Sequence, residues 1–157
     1  MVPELSRQTE ARTVAWSRTE APLASAPGRV KRVLLAEDDA ELRRLLAGVL
    51  RQDGFDVIEA RDGVDGFGFI EPWVFWDARE DRFDLIISDV RMPGWTGIDL
   101  LRIARARRLP APVILITAFG ATELHAEARR LGAAAVFDKP FDIDALRSAA
   151  RRLTQAA

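Results

Sequence analysis

The stretch FDLIISDVRMPG at residues 83–94 decides the fold. Its apolar run, residues 85–87, is typical of a strand that is buried on both faces. Asp89 follows that run, and Pro93 and Gly94 then supply a turn. Parallel sheets bind ligands beyond the carboxyl ends of their strands. We therefore expect Asp89 to lie in a functional site at that edge.

Other strand patterns flank this stretch and alternate with helical patterns. The strand patterns are at residues 33–36, 55–60, 113–116 and 134–137. The helical patterns are at residues 40–52, 63–79 (in part), 98–107, 122–131 and 143–153. This alternation predicts an α/β fold, a doubly wound, five-stranded parallel sheet with helices on both faces. Residues 55–60 alternate apolar and polar side chains, which favours an edge strand.

The composition excludes several classes of protein. The chain has 157 residues, of which 48% are hydrophobic and 30% charged, which suits one globular domain. The net charge of −1 provides no general attraction to nucleic acid or to anionic membranes. The absence of cysteine excludes disulfides, and no apolar run is long enough to span a bilayer. The N-terminus does not resemble a signal peptide, so we expect a cytoplasmic protein.

The chain divides into a tail and a folded domain. Residues 1–29 lack any helical or strand period, which predicts a flexible N-terminal tail. Residues 30–155 carry the alternating pattern and are predicted to form the domain. Trp16 is the single aromatic residue of the tail. Docking of Trp16 elsewhere and simple tolerance of this residue both remain open.

Polar residues follow the other strand patterns as Asp89 follows its own. Glu37 and Asp38 come after the first strand, Thr117 after the fourth and Lys139 after the fifth. Three converging carboxylates repel one another without a cation, and hard oxygen ligands of this kind suit Mg²⁺. An ammonium and a hydroxyl group can stabilise phosphoryl oxygens. The set predicts a site at which Asp89 accepts a phosphoryl group with the help of Mg²⁺.

Four blocks of the sequence resemble the signatures of response-regulator receiver domains. They are LAEDD at 35–39, ISDVRMPG at 87–94, ITA at 116–118 and FDKPF at 137–141. The resemblance extends over residues 30–153. It implies a flavodoxin-like fold, similar to chemotaxis receivers, with strand order 2-1-3-4-5. It also implies a cis bond between Lys139 and Pro140.

The resemblance implies roles for the site residues. Asp89 would be the phosphoacceptor for a histidine kinase or a histidine phosphotransfer protein. Thr117 and Lys139 would bind the phosphoryl oxygens, and Thr117 would move inward when the site is occupied. The domain would catalyse only its own phosphorylation and dephosphorylation, so it is expected to be a signalling domain and not an enzyme.

The same resemblance implies the ligands of the Mg²⁺ ion. Asp38 would bind the ion directly and Glu37 indirectly, while Asp89 and the backbone carbonyl of Arg91 would complete the protein ligands. Asp39 is the third acidic residue of the run. We predict that it caps the following helix instead of binding the ion.

The sequence departs from the family pattern on the output side. Receivers usually carry an aromatic residue three places before the lysine, where its movement reports phosphorylation, but this chain has Val136 there. Phe137 would point to the opposite face of the sheet and so cannot replace it. The sequence therefore lacks the usual aromatic switch residue at this position. Phe119 and Arg91 are expected to flank the route to the phosphoryl group.

The second departure is an insertion rich in aromatic residues at about 69–80. The chain between residues 63 and 89 exceeds the family norm by roughly two helical turns. The inserted stretch includes FIEPWVFW at 69–76, where Pro72 is expected to break or kink a helix. Its aromatic side chains form either an added core patch or an exposed surface for a partner or a second copy.

Two further features are interpreted as surface. Arg102, Arg105, Arg107 and Arg108 are predicted to form a solvated helix face and not a nucleic-acid surface. His125, the single histidine, is predicted to be a surface residue and not a metal ligand.

Three functions from different classes remain open. The first is a single-domain response regulator that signals by contact with an unknown protein target, since the printed chain ends after the last helical pattern. The second is a receiver-like scaffold that works without phosphorylation. The third is a phosphohydrolase of the haloacid-dehalogenase type, although that family carries its nucleophile after the first strand. Direct contact with nucleic acid or membrane is not expected, and homodimerisation remains open.

Overall fold

The computed structural model of the protein describes residues 28–118 and 122–155. Most of the predicted tail, with Trp16, lies outside these residues, and so does Phe119. Across the described ranges, no helix combines the length and the apolar character that a bilayer crossing requires.

Strands and helices alternate along the described chain as the sequence pattern predicts. The strands are β1 Arg32–Ala36, β2 Asp56–Ala60, β3 Leu85–Asp89, β4 Val113–Thr117 and β5 Ala135–Asp138. The helices are α1 Ala40–Gln52, α2 Gly63–Trp76, α3 Gly97–Ala106, α4 Thr122–Arg130 and α5 Ile143–Gln155. A short 3₁₀ helix, Arg79–Asp81, follows α2.

The strands form one parallel sheet in the order β2-β1-β3-β4-β5. This order confirms the predicted doubly wound, flavodoxin-like fold. All five residues of β3 are buried at the centre of the sheet. The strand β2 lies at an edge, as its alternating sequence predicts. The register pairs Leu35 with Ile87, and Asp89 with Ile116, so the carboxyl ends of β1, β3 and β4 lie side by side.

Two apolar layers cover the sheet, one on each face. Helices α2, α3 and α4 contribute to one layer, and α1 and α5 contribute to the other. Val136 packs with the first layer and Phe137 with the second. The structure therefore confirms that Phe137 lies on the wrong face of the sheet to replace an aromatic residue at position 136.

Pro72 was predicted to break or kink a helix, and the structure shows that the helix is not broken there. The helix continues through Pro72 to Trp76 and ends at Asp77, which has a left-handed backbone with φ of 49°. A proline leaves the carbonyl four residues earlier without its usual N–H partner. That residue is Gly68, which is exposed to solvent. Water can take the place of the missing N–H donor at an exposed position, which reduces the cost of the proline.

The aromatic insertion divides between core and surface. Trp73 is 7% exposed and packs in the layer of α2, α3 and α4, together with Ile70. Trp76 is 78% exposed. The insertion thus contributes one tryptophan to the core, while a second tryptophan one helical turn later is exposed.

The arginines in α3 and directly after it do not form a uniformly solvated face. Arg102 pairs with Glu127 at 2.5 Å, and the guanidinium of Arg107 lies 4.9 Å from the ring centre of Phe75. Arg105 is half-buried and donates a hydrogen bond to the carbonyl of Ala111. The prediction of a solvated face was wrong for Arg105, because its long side chain folds back against the loop before β4.

Candidate functional site

The predicted site residues meet at the carboxyl ends of the strands. Glu37 directly follows β1, Asp89 ends β3, Thr117 ends β4, and Lys139 directly follows β5. Glu37 and Thr117 are fully buried, and Asp89 is 4% exposed. Asp38 is exposed. The site is therefore a pocket with buried carboxylates at its floor and one carboxylate at its rim.

Lys139 holds two of these carboxylates. Its Nζ lies 2.6 Å from Oδ2 of Asp89. It also lies 3.3 Å and 3.2 Å from the two carboxylate oxygens of Glu37. These residues are 50 and 102 positions apart from Lys139 in the chain. The fold, and not local sequence, creates the contact.

The acidic residues of the pocket suit a divalent cation. Carboxylate oxygens of Glu37, Asp38 and Asp89 lie within 4.8 Å of one another. When all groups are ionised, three carboxylates and one ammonium leave an excess of two negative charges. One divalent cation carries the charge that balances this excess, and hard carboxylate oxygens are the ligands that Mg²⁺ prefers. The donor set therefore fits Mg²⁺.

The pKa shifts of the pocket residues reflect the same excess of negative charge. Burial raises the pKa of Glu37 to about 7, with a further increase from the charge of Asp89. Burial lowers the pKa of Lys139, but its hydrogen bond to Asp89 and the charges of both carboxylates outweigh this effect, so the pKa of Lys139 is raised. Lys139 is thus charged at neutral pH, while Glu37 takes up a proton easily when no other cation is near.

Backbone groups fix the orientation of the carboxylates. The N–H of Arg91 donates to Oδ1 of Asp89 at 3.0 Å, and the N–H of Asp39 donates to Oε1 of Glu37 at 3.1 Å. The Asp39 side chain accepts from the N–H groups of Glu41 and Leu42 at the start of α1. Asp39 is therefore the N-cap of α1, as predicted.

Close packing holds the loop that follows Asp89. Helix α3 begins at Gly97, where a Cβ atom would lie 2.4 Å from the carbonyl oxygen of Asp89. Helix α2 begins at Gly63, where a Cβ atom would lie 1.5 Å from the carbonyl oxygen of Trp95. Both positions require glycine because the loop between β3 and α3 approaches too closely for any side chain. The loop that carries Arg91 is thus packed closely against the first residues of α2 and α3.

Thr117 belongs to the same edge of the sheet. It is buried, and its carbonyl accepts a hydrogen bond from the backbone N–H of Lys139 at 2.7 Å. This bond ties the end of β4 to the residue that contacts Asp89. The cis peptide bond between Lys139 and Pro140 is present as predicted.

One supporting residue was missed by sequence reasoning. Arg43 of α1 is half-buried, and its guanidinium donates to the backbone carbonyl of Glu37 at 2.8 Å. It also lies 3.6 Å from a carboxylate oxygen of Glu59. The helical spacing from Asp39 to Arg43 places them on one face of α1. That spacing alone does not identify the carbonyl as the target.

His125 lies apart from the acidic pocket. Its Nε2 is 2.9 Å from Oδ1 of Asp138, and its side chain is 31% exposed. The contact joins α4 to the end of β5, next to Lys139. His125 is thus a partly exposed residue with a carboxylate partner, outside the acidic group that suits a metal ion.

Comparison with known proteins identifies the family of this fold and site. Residues 33–151 match the model of the response regulator receiver domain. The transcriptional regulatory protein CpxR of Escherichia coli K12 is 38% identical over 92 residues, which are 59% of this chain and 35% of CpxR. The chain therefore matches about a third of that relative.

Solved receiver structures agree with the architecture. The receiver domain of the Francisella response regulator 1452 has a TM-score of 0.70 and 30% identity, and covers 80% of this chain and 97% of its own. The chemotaxis regulator CheY4 of Vibrio cholerae has a TM-score of 0.66 and 28% identity, and covers 80% of this chain and 99% of its own. The match decides against a haloacid-dehalogenase-type phosphohydrolase.

These findings agree with the geometry of the acidic pocket. Receiver domains are signalling domains of two-component systems and not conventional enzymes. Phosphorylation and Mg²⁺ binding at an acidic pocket are general features of the family. The chain belongs to the response-regulator receiver family.

Proposed function

We propose that this response regulator accepts a phosphoryl group on Asp89 from the phosphohistidine of a histidine kinase or a histidine phosphotransfer protein. The contact between Lys139 and Asp89, at 2.6 Å within an acidic pocket, is the observation that carries this proposal. It places a fixed positive charge beside the carboxylate that would become an acyl phosphate. A buried carboxylate of this kind is a nucleophile that the fold holds in place.

The transfer follows from the groups around Asp89. A carboxylate oxygen of Asp89 attacks the phosphorus, the P–N bond of the phosphohistidine breaks, and the imidazole leaves. The backbone N–H of Arg91 keeps the carboxylate oriented. The ammonium of Lys139 stabilises the negative charge on the phosphoryl oxygens, and the hydroxyl group of Thr117 donates a further hydrogen bond.

We assign the Mg²⁺ ion to the same pocket. Asp38, Asp89 and the backbone carbonyl of Arg91 would hold it directly, and Glu37 indirectly. The indirect role of Glu37 is supported by its contacts, because its oxygens already accept from Lys139 and from the N–H of Asp39. When bound, Mg²⁺ neutralises charge on the phosphoryl oxygens during transfer.

The output of the protein is proposed to be contact with a protein target in the cytoplasm. CpxR is described as a transcriptional regulatory protein, so direct contact of this domain with nucleic acid needs separate consideration. Arg102 and Arg105 of α3 are engaged with Glu127 and the Ala111 carbonyl, and Arg107, directly after α3, is engaged with Phe75. We therefore propose that this domain does not bind nucleic acid itself.

The observations favour a phosphorylated receiver over a scaffold that works without phosphorylation. A scaffold has no need of Glu37, Asp38, Asp89 and Lys139 together, since buried carboxylates are costly to keep. Val136 instead supports a change in the way that phosphorylation is reported to the protein target. It is half-buried beneath α4, where a larger aromatic side chain would report the state of the site.

The test compares the wild type with Asp89→Asn and Asp38→Asn. Each protein is incubated with Mg²⁺ and a small acyl-phosphate donor, and base-labile phosphate on the protein is measured. We expect label on the wild type, none on Asp89→Asn, and strongly reduced label on Asp38→Asn. Labelling that does not depend on Asp89 would contradict the proposal, and so would labelling that persists after removal of Mg²⁺.

A further inference from the structure

The outward side of α2 exposes more apolar surface than a solvated helix normally carries. Val64 is 58% exposed, Phe69 39%, Phe75 46% and Trp76 78%. We call these four residues the α2 face. Exposed helices of globular proteins are usually polar on the outer side, and a helix that is apolar all round is usually covered all round. The α2 face is therefore suited to binding another segment of the chain or another protein.

The charges on α2 indicate which side chains an occupant of the α2 face would carry. The helix contains Asp65 and Glu71 and no basic residue. Asp65 pairs with Arg61 at 3.6 Å. Glu71 is exposed, and it has no ion-pair partner within residues 28–118 and 122–155. An occupant with aromatic and basic side chains would satisfy both the apolar residues and the free carboxylate.

The size of the α2 face favours a short segment over a second globular protein. Its four side chains leave on the order of 450 Å² exposed, given that an aromatic side chain presents about 150–250 Å². A standard protein interface buries about 800 Å² on each partner. A patch of this size binds weakly on its own, but a segment tethered to the same chain gains a high effective concentration.

One segment of this chain has the required chemistry. Residues 11–18, ARTVAWSR, lie outside the described part of the chain. They contain Val14 and Trp16 as large apolar residues, Arg12 and Arg18 as charges, and no acidic residue. Trp and Arg are the residue types that contribute most to small interfaces.

The chain enters the domain near the end of α2. The side chain of Arg29 pairs with Asp84, and that of Arg32 donates to the carbonyl of Glu80 at 3.1 Å. Glu80 lies in the 3₁₀ helix that directly follows α2. Trp16 precedes Gly28 by a connection that spans about 40 Å at full extension. The α2 helix is only about 21 Å long, so residues 11–18 can reach all of it.

We propose that residues 11–18 dock on the α2 face, with Trp16 against Phe75 and Trp76 and with an arginine beside Glu71. A second cavity, of about 330 Å³, lies near the chain's entry and is lined in part by Arg29, Lys31, Arg151 and Asp53. It suits a basic segment poorly, because three of those side chains are cationic. Its Asp53 is already paired with Arg147 at 2.6 Å.

The test uses a spin label in the full-length chain. The chain contains no cysteine, so Ser17→Cys gives one attachment site for a nitroxide next to Trp16. We expect the backbone amide signals of α2 to lose most of their intensity, independently of protein concentration. Trp16→Ala and Trp76→Ala should each reduce the docking equilibrium about tenfold or more and restore the α2 signals. Leu45→Ala is the matched control, because Leu45 is 50% exposed on the opposite layer of helices.

Each other outcome overturns the proposal. Unchanged α2 signals would show that residues 11–18 do not dock there. Broadening of signals around Asp53 and Arg151 would place the segment in the second cavity. Broadening that appears only between a labelled and a separate isotope-enriched molecule would show that a second copy covers the face. Equal effects of Leu45→Ala and Trp76→Ala would show a general loss of structure.

Discussion

The acidic pocket and the α2 face depart from ordinary protein chemistry in opposite directions. The pocket buries charge, since Glu37 is 0% exposed, while the α2 face exposes aromatic surface, since Trp76 is 78% exposed. Soluble proteins seldom bury a charged group without an opposite charge beside it, and they seldom expose a large aromatic patch without a binding partner. The pocket has a partial solution within the chain, because Lys139 contacts both buried carboxylates. Among the described residues, Arg107 contacts Phe75 of the α2 face, but Trp76 stays largely exposed.

The two regions are physically joined. Phe67 of α2 stacks on Trp95, with ring centres 4.4 Å apart and planes within 3° of parallel. Trp95 belongs to the loop that begins after Asp89 and precedes α3. Binding at the α2 face therefore has a short contact route to the loop that orients the carboxylate of Asp89. The following substitutions separate what each region contributes.

The largest effect is expected on the buried side of α2. Replacing Trp73 with Ala removes a large side chain that is 7% exposed, so we expect a loss of about 4 kcal/mol in the free energy of unfolding. Denaturant titration measures the change. Leu45→Ala, at a half-exposed position of α1, should change stability by less than about 0.5 kcal/mol. Similar losses for both variants would contradict the placement of Trp73 in the core.

The next effect concerns the counter-charge in the pocket. Lys139→Met leaves Glu37 and Asp89 buried without their cation, so we expect a loss of about 3 kcal/mol in Mg²⁺-free buffer. Added Mg²⁺ should recover part of this loss. Arg51→Met is the matched control at an exposed ion pair, where Arg51 lies 3.1 Å from Glu59, and it should cost less than about 1 kcal/mol. A Lys139 variant as stable as the control would show that the pocket tolerates its negative charge.

The third effect is a pH dependence set by Glu37. Its pKa rises from 4.5 in the unfolded chain to about 7 in the folded protein. Between these values the folded state binds more protons than the unfolded state, so stability falls as pH rises. Without Mg²⁺, we expect wild type to lose on the order of 2 kcal/mol relative to Glu37→Gln between pH 4.5 and pH 8. Stabilisation by Mg²⁺ should accordingly be greater at pH 8 than at pH 5, which thermal unfolding at both values would measure.

The smallest effect distinguishes Asp39, the helix cap, from Asp38, which is proposed to bind Mg²⁺. Asp39→Ala removes the N-cap of α1, and we expect a loss of about 1 kcal/mol with an unchanged affinity for Mg²⁺. Asp38→Ala should have the opposite profile, with weaker Mg²⁺ binding and little change in stability without the ion. Calorimetric titration with Mg²⁺ distinguishes the two. Weaker Mg²⁺ binding in Asp39→Ala would contradict the assignment of Asp39 as a cap.

The sequence predicted most of the fold, because each buried strand is a continuous apolar run that ends in a polar residue. The strand order was predicted only from the resemblance to receivers, because apolar runs do not indicate which strands are neighbours. The same runs located Glu37, Asp89, Thr117 and Lys139. Position after a strand is enough to place a residue at the binding edge of a parallel sheet.

What the sequence could not predict depends on contacts between distant residues. The bond from Arg43 to the Glu37 carbonyl and the folding of Arg105 onto Ala111 have no local signal. Helix α2 continues through Pro72, and the exposure of Gly68, four residues earlier, depends on the side of α2 that faces solvent. The division of Trp73 and Trp76 between core and surface depends on which side of α2 meets the sheet.

The distance along the chain between Lys139 and its partners has a consequence for synthesis. A ribosome makes Glu37 first, and Lys139 follows 102 residues later. Until β5 has been translated and added to the edge of the sheet, the carboxylates of a nascent chain lack the ammonium that pairs with them. The acidic pocket of newly made protein is therefore complete only after Lys139 has been translated and β5 has joined the sheet.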